Sequence, residues 1–273
     1  MIDLEKQSGL PISWDRTNKR IIFPENFVQV EPVVRVRKDM EPVLFEPEEE
    51  GPQEFYYIYR GVAPASEAEE IARRGLRYDI SVLRPGTTGR EFVKTFGHYH
   101  SQKPGTEFTY PEVYEVLYGR VHFMMQLPRD GNYSELEKVL LISAKPGDKV
   151  LIPPNFGHVT INPGEDCLIL SNWVADDCES HYQPIQERGG GAYFELQDEE
   201  GPIFLTNTQY SHLPALKRCS VTPVPRFNLH TGLPIYRVLH KHPESLSFLV
   251  NPENYQEIFQ EYLQGLLQAG KCS

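Results

Sequence analysis

The sequence predicts an all-β protein, a sandwich or a barrel with extended and helical additions, and three observations carry that expectation. Short runs rich in Val, Ile, Leu, Tyr and Phe recur through the middle of the chain. Turn signals separate them at Arg84-Pro85-Gly86, Gly119-Arg120, Arg129 to Asn132, Pro146-Gly147 and Pro163-Gly164. The runs follow one another at short spacing instead of alternating with helices, which argues against βαβ units.

Up to Glu49 the chain alternates prolines with short apolar pieces such as RIIFPENFVQVEPVVRV. Arg20 to Val36 reads as edge strands covering the main barrel or a partner subunit, and Glu46 to Glu54 as a solvated acidic turn. Glu54 to Tyr59, EFYYIY, is β-rich. Ser66 to Arg74 reads as a helix, with Ser66 and Glu69 forming a capping box and Gly75 placed to end it. Two strands flank Arg84-Pro85-Gly86. Further strands are expected at Val113 to Tyr118, His122 to Leu127, Glu137 to Ile142, Lys149 to Ile152, His158 to Asn162 and Cys167 to Trp173.

From Gly201 the texture changes to prolines mixed with short apolar runs. His240 and His242 form an H-x-H there, but Lys241 and Pro243 read as a solvated turn, and no carboxylate-plus-histidine set accompanies them. The last element is a helix: Asn251 caps, Pro252 takes the first turn, and Tyr255, Ile258, Phe259, Tyr262, Leu263, Leu266 and Leu267 form an apolar stripe that ends at Gly270. Its polar face carries Glu253, Glu257 and Glu261 where a membrane-surface helix would carry lysines, so the stripe is expected to pack on the barrel or on a second subunit. The organisation expected is an arm over 1–49, a barrel over 50–200 and an extension over 201–273.

With 273 residues, 40% of them hydrophobic, the chain can bury a full core as one large domain with appendages. A net charge of −11 argues against a nucleic-acid partner and requires that any anionic substrate meet specific local donors. No apolar run reaches the length of a membrane span, and MIDLEKQSGL lacks the basic-then-apolar pattern of a signal peptide, so a cytoplasmic protein is expected. Cys167, Cys178, Cys219 and Cys272 are irregularly spaced without a C-x-x-C, which suits free thiols.

The chemistry concentrates between Thr95 and Gly119. Residues two apart on a strand share a face, so His98 and His100 can chelate one ion with Tyr99 turned away. Glu112 supplies a carboxylate, and His158, between two strand-like runs, is the candidate fourth ligand. Imidazole and carboxylate donors admit Zn, Fe, Mn or Ni without choosing among them.

These residues carry a resemblance. Glu112-x6-Gly119 and the later Gly147-x5-Pro153-x4-His158-x3-Asn162 are similar to the paired metal-binding motifs of the cupin superfamily. Within it, GHYH, PEVYEVLYGRVHFMMQL and PGDKVLIPPNFGHVTINPG resemble the cupin-type, metal-dependent glucose-6-phosphate isomerases of archaea and some bacteria, over roughly residues 50 to 196. The chain departs from the common cupin pattern in the eleven residues between His100 and Glu112, an insertion punctuated by Pro104-Gly105 and Pro111. Glu107 lies within it as a rival carboxylate, but Glu112 keeps Gly119 in register. Relatives carry a tyrosine in place of Trp173 and a histidine near Glu179 to His181, which makes His181 the candidate substitute.

The resemblance implies a double-stranded β-helix barrel with the ligand set His98, His100, Glu112 and His158 in its mouth, and one divalent ion per subunit, Fe(II) first, with Mn, Ni or Zn as alternatives. It implies isomerisation of glucose 6-phosphate and fructose 6-phosphate through an enediolate, in glycolysis and gluconeogenesis, by a homodimer. Glu112, Tyr114 and His181 are the catalytic candidates; Ser81, Thr95 and Gly97 are the phosphate-binding ones. Arg84, Arg90, Lys94 and Arg188 are nearby cations without an assigned part. The alternatives are isomerisation of a related sugar phosphate such as mannose 6-phosphate, and a non-catalytic sugar-phosphate-sensing cupin; cupin dioxygenases share similar ligands.

Overall fold

The computed structural model describes residues 1–269. Cys272 and Gly270, expected as a free thiol and as the end of the last helix, lie outside them. Two largely antiparallel sheets form the walls of a β-barrel. The larger has six strands in the order Lys149–Ile152, Glu112–Tyr118, Leu168–Ala175, Leu76–Leu83, Glu54–Tyr59 and Val33–Val36. The smaller joins Gly157–Ile161, Val121–Arg129 and Asn132–Ala144, with Lys217–Cys219 added in parallel at its edge.

The strands expected from Glu54 to Trp173 are present, displaced by a few residues at their ends. Strands from both flanks complete the sheets, Val33–Val36 on one and Lys217–Cys219 on the other, and one apolar core runs through all three expected segments. Arg20–Ile22 instead joins a separate small sheet with Ile2–Asp3 and Ser13–Asp15. Cys167, Cys178 and Cys219 are free thiols.

The Glu112–Tyr118 strand is buried on both faces, which explains its almost uninterrupted apolar and aromatic run. Glu112 and Tyr114 face the barrel interior. Glu115 faces outward, where its carboxylate accepts the Ile235 N–H at 2.7 Å and pairs with Lys149 at 2.8 Å. Trp173 lies opposite Val113, stacks on Tyr236 with ring centroids 5.6 Å apart, and donates its indole N–H to the Ile235 carbonyl at 2.9 Å. Both backbone groups of Ile235 are thus held by the barrel, and the C-terminal extension covers the outer face of the larger sheet. Trp173 has a packing part that the sequence did not disclose.

Two helix starts differ from expectation. The helix expected over Ser66 to Arg74 runs Ala68–Arg73 with Glu67 at its N-cap and no side-chain cap, so the Ser66 capping box does not form. Glu67 is spent on the extension, accepting from the Tyr236 hydroxyl at 2.7 Å and lying 3.0 Å from His240 Nε2. His240 is therefore engaged by a structural carboxylate. At the other end, a 3-10 turn over Pro252–Tyr255 precedes the helix Gln256–Ala269. Asn251 accepts from Lys103 at 2.9 Å instead of capping. Ile258, Phe259, Tyr262 and Leu266 are buried, with Phe259 against the stacked pair Phe227 and Phe248.

Truncating Trp173 to alanine removes a buried aromatic and the Ile235 anchor together. Denaturant unfolding of Trp173→Ala should show a loss of about 3–5 kcal/mol; an unaltered midpoint would contradict the anchoring part. Burial pushes the Glu115 carboxyl up from 4.5 to about 7, opposed by Lys149 and the Ile235 N–H. A carboxyl raised in the folded state contributes stability that is full below the unfolded value and is lost as pH rises through the folded one. Between about pH 5 and about pH 8 the unfolding midpoint should fall more in the wild type than in Glu115→Gln, and parallel profiles would locate the pH dependence elsewhere.

Candidate metal centre

His98 and His100 reach the barrel interior on a segment that the smaller sheet grips. His98 N–H donates to the His158 carbonyl at 3.2 Å and His158 N–H returns a bond at 3.0 Å, so two ligand candidates are locked to each other through their backbones. Gly97 makes the approach possible: its φ is +81°, and a Cβ there would stand 2.7 Å from Val159 Cγ2. Tyr99 turns outward, its hydroxyl accepting from Gln126 at 2.7 Å, which leaves His98 and His100 on one face. Glu112 opens its strand, and Tyr114 follows on the same face.

One ligand atom from each of His98, His100, Glu112 and His158 lies within 4.8 Å of the others. His98 is half-buried; the rest are buried. Nε2 of His100 and Nε2 of His158 stand 3.3 and 3.5 Å from Glu112 Oε2, yet that oxygen is buried without a hydrogen-bond partner. The Tyr110 carbonyl lies 2.7 Å from His100 Nδ1 and can only accept, so Nδ1 carries a proton and Nε2 is the ring atom turned to Glu112, the one an ion would take in place of a proton. Tyr110 belongs to the inserted loop, whose Lys103 is tied to Asn251 and Glu253 of the extension at 2.9 and 2.6 Å. The insertion thus orients a ligand candidate, while Glu107 is exposed and stands outside the cluster.

The protonation pattern expresses the same demand for positive charge. Burial, then His158, His100, Arg60 and Arg35, hold His98 well below its ordinary value, and burial lowers His158 to about 4 against the pull of Glu112. Burial opposes charge on His100 too, but Cys178 and Glu112 outweigh it and hold His100 well above the usual range. Glu112 stays low despite burial, because His100 and His158 favour its anion. An anionic carboxylate with converging imidazole lone pairs fits a divalent first-row ion by donor type, count and enclosure.

Tyr114 lies beside the cluster with its hydroxyl 3.2 Å from His158 Nε2, and burial, then Glu112, keep the phenol protonated far above its ordinary value. Ser81 and Thr95 line the same cavity, and Thr95 Oγ1 accepts the Thr160 N–H at 3.0 Å. Gly97 does not line it; the side where a Cβ would stand is closed by Val159 and Ile185. His181 is exposed and absent from the cavity wall, because alternation on the short Ser180–His181 strand turns Ser180 inward, and Tyr182 enters the cavity next. The catalytic expectation for His181 is not supported by this placement. Arg84, Arg90, Lys94 and Arg188 do not line the cavity either; Lys94 is bound to Glu91 and the Val43 carbonyl, and Arg84 lies 3.7 Å from Glu54.

The wall also contains Tyr56, Arg60, Arg77, Asp79, Asn172 and Cys178, which the sequence reading did not single out. Tyr56, Ile58 and Arg60 alternate along one strand, as do Arg77, Asp79 and Ser81 along its neighbour. That period was legible; which face it served was not. Arg77 bonds Asp79 at 3.1 Å, and Asp79 also accepts the Gly61 N–H at 2.9 Å.

The family model described as glucose-6-phosphate isomerase (GPI) matches residues 34–211. Glucose-6-phosphate isomerase of Thermococcus litoralis is 34% identical over 142 residues, covering 52% of this chain and 65% of that protein. The Pyrococcus abyssi protein of the same name is 32% identical over 121 residues, 44% of this chain and 58% of its own length. The chain therefore spans about three fifths of the curated relatives it matches. Among solved structures, vicilin from Corylus avellana aligns over 57% of this chain and 36% of its own with a TM-score of 0.36 at 16% identity.

Elemental analysis after dialysis against a divalent ion should find about one ion per chain, dropping to near zero in His158→Ala and Glu112→Ala while Tyr114→Phe keeps it. Full occupancy in Glu112→Ala would remove that carboxylate from the ligand set.

Proposed function

This chain belongs to the glucose-6-phosphate isomerase family, and we propose that it is a metal-dependent aldose–ketose isomerase interconverting glucose 6-phosphate and fructose 6-phosphate. The observation that carries the reading is the buried, unpartnered Glu112 oxygen facing imidazole nitrogens inside a cavity that also presents Ser81 and Thr95. His98, His100, Glu112 and His158 would hold the ion, Fe(II) first, with Mn, Ni or Zn as alternatives. A divalent ion supplies Lewis-acid polarisation of the sugar oxygens.

The chain's own groups do the rest. Aldose–ketose isomerisation moves a proton between C1 and C2 of the open-chain sugar through an enediolate. Glu112 is the carboxylate available to accept and return that proton, its low pKa keeping it ionised. Tyr114, held protonated, bonds His158 Nε2 in the present arrangement; once that nitrogen is committed as a ligand, the phenol O–H needs another acceptor, and the substrate oxygen beside Glu112 is the natural one. Ser81 and Thr95 present hydroxyls to the phosphate end.

We further infer a cytoplasmic homodimer. Val33 and Val36 are 54% and 39% exposed on the edge strand of the larger sheet, a surface suited to a second copy. Among the described residues no helix is long and apolar enough to cross a membrane.

A coupled assay converting fructose 6-phosphate, run on chelator-stripped protein and after return of single ions, tests the reading. Activity should vanish with the metal and return with one ion, and Tyr114→Phe should lose about 10²-fold in kcat. No turnover with any ion in protein that binds metal would shift the substrate to mannose 6-phosphate or the function to sensing.

A further inference from the structure

We propose that Arg35 and Arg60 form a two-sided cationic clamp that closes on the dianionic group of the substrate from either side of Ser81. This rests on the sugar-phosphate reading of the same cavity and names the residues that set its charge selectivity.

Strand register supplies the geometry. On the inner face of the larger sheet, Ser81 lies opposite Ile58. Two residues along in one direction is Asp79, and the pairing of Tyr59 with Ile80 sets Arg60 beside it. Two residues along in the other is Leu83, opposite Tyr56, which in turn lies opposite Arg35. Arg60, one strand over from Ser81, and Arg35, two strands over, are therefore displaced from the Ser81 row in opposite directions along the strands, each by about 7 Å in addition to the spacing between strands. Thr95 lines the cavity with Ser81 and Arg60, and Arg35 stands behind the wall, against the lining residues Tyr56 and Tyr182.

Among the described residues, neither guanidinium is spent on a carboxylate, although Arg35 is hydrogen-bonded to the Tyr56 side chain. Arg77, by contrast, is committed to Asp79 at 3.1 Å and lies 3.6 Å from Asp176. Arg35 is half-buried, its Nε has no hydrogen-bond partner, and its guanidinium lies 5.4 Å over the ring of Tyr182, which lines the cavity. In a chain of net charge −11 the average field repels an anion, so a half-buried arginine without a carboxylate partner is the kind of local donor an anionic group needs there. A phosphate dianion supplies the missing counter-charge, and the planar guanidinium fork matches its oxygens. Ser81 and Thr95 then orient the group, and the arginines discriminate a phosphorylated sugar from a neutral one.

The test uses the metal-loaded full chain with Arg60→Ala, Arg35→Ala and Arg35→Lys. Arg60 is exposed and can be truncated without unfolding; the lysine variant keeps the charge of Arg35 but not its fork. In Arg60→Ala the KM for fructose 6-phosphate should rise about tenfold with kcat within about twofold, the pattern of lost uniform binding. The calorimetric Kd for inorganic phosphate should rise in parallel, and Arg35→Lys should fall between wild type and Arg35→Ala. Unchanged KM and phosphate affinity in both alanine variants, or a wild type that does not bind inorganic phosphate, would overturn the clamp. Phosphate binding that depends on Arg60 in a protein that never isomerises the sugar would uphold the clamp and remove the reaction; isomerisation indifferent to Arg60 would do the reverse.

Discussion

The buried carboxylate of Glu112 is the constraint on which the site depends. An ionised carboxylate taken out of water is tolerated only against positive charge, and here its Oε2 meets imidazole nitrogens instead of a committed donor. A proton on His100 is the answer the protein has on its own, and a divalent ion shared by the four side chains is the more complete one. The ligand candidates come from three separate pieces of chain, so the whole barrel has to close before they meet. The reciprocal bonds between His98 and His158 are where that closure is fastened.

The parts of the chain outside the barrel bear on the same point. The extension shields the outer face of the Glu112–Tyr118 strand, held at Ile235 by Glu115 and Trp173. The inserted loop leans on that extension through Lys103 and delivers the Tyr110 carbonyl to His100. The extension, the loop and the imidazole form one mechanical series. Removing the last of the chain would reach a ligand candidate without touching it directly.

The barrel and its ligand set were legible because strand alternation and turn residues are local signals. His98-x-His100 on one face and Glu112 at the head of a strand needed no tertiary knowledge. Properties created by pairing were out of reach. Arg35 and Arg60 come to flank Ser81 only through register across three strands, and Glu67 abandons its helix start because Tyr236, far along the chain, claims it. His181 and Tyr182 show how narrow the margin is: a shift of one residue on a strand decides which side chain enters the cavity. The insertion resembled a mere lengthening of a turn, and its contribution to His100 is a backbone carbonyl, which carries no side-chain signature.

The most direct measurement is an anomalous-scattering map from crystals of the ion-loaded protein, collected at the absorption edge of the ion. The account predicts one strong peak per chain, within bonding distance of His98, His100, Glu112 and His158 together. A peak elsewhere, or a fully occupied ion that leaves Glu112 unbound, would contradict the claim that this buried carboxylate is what calls the metal in.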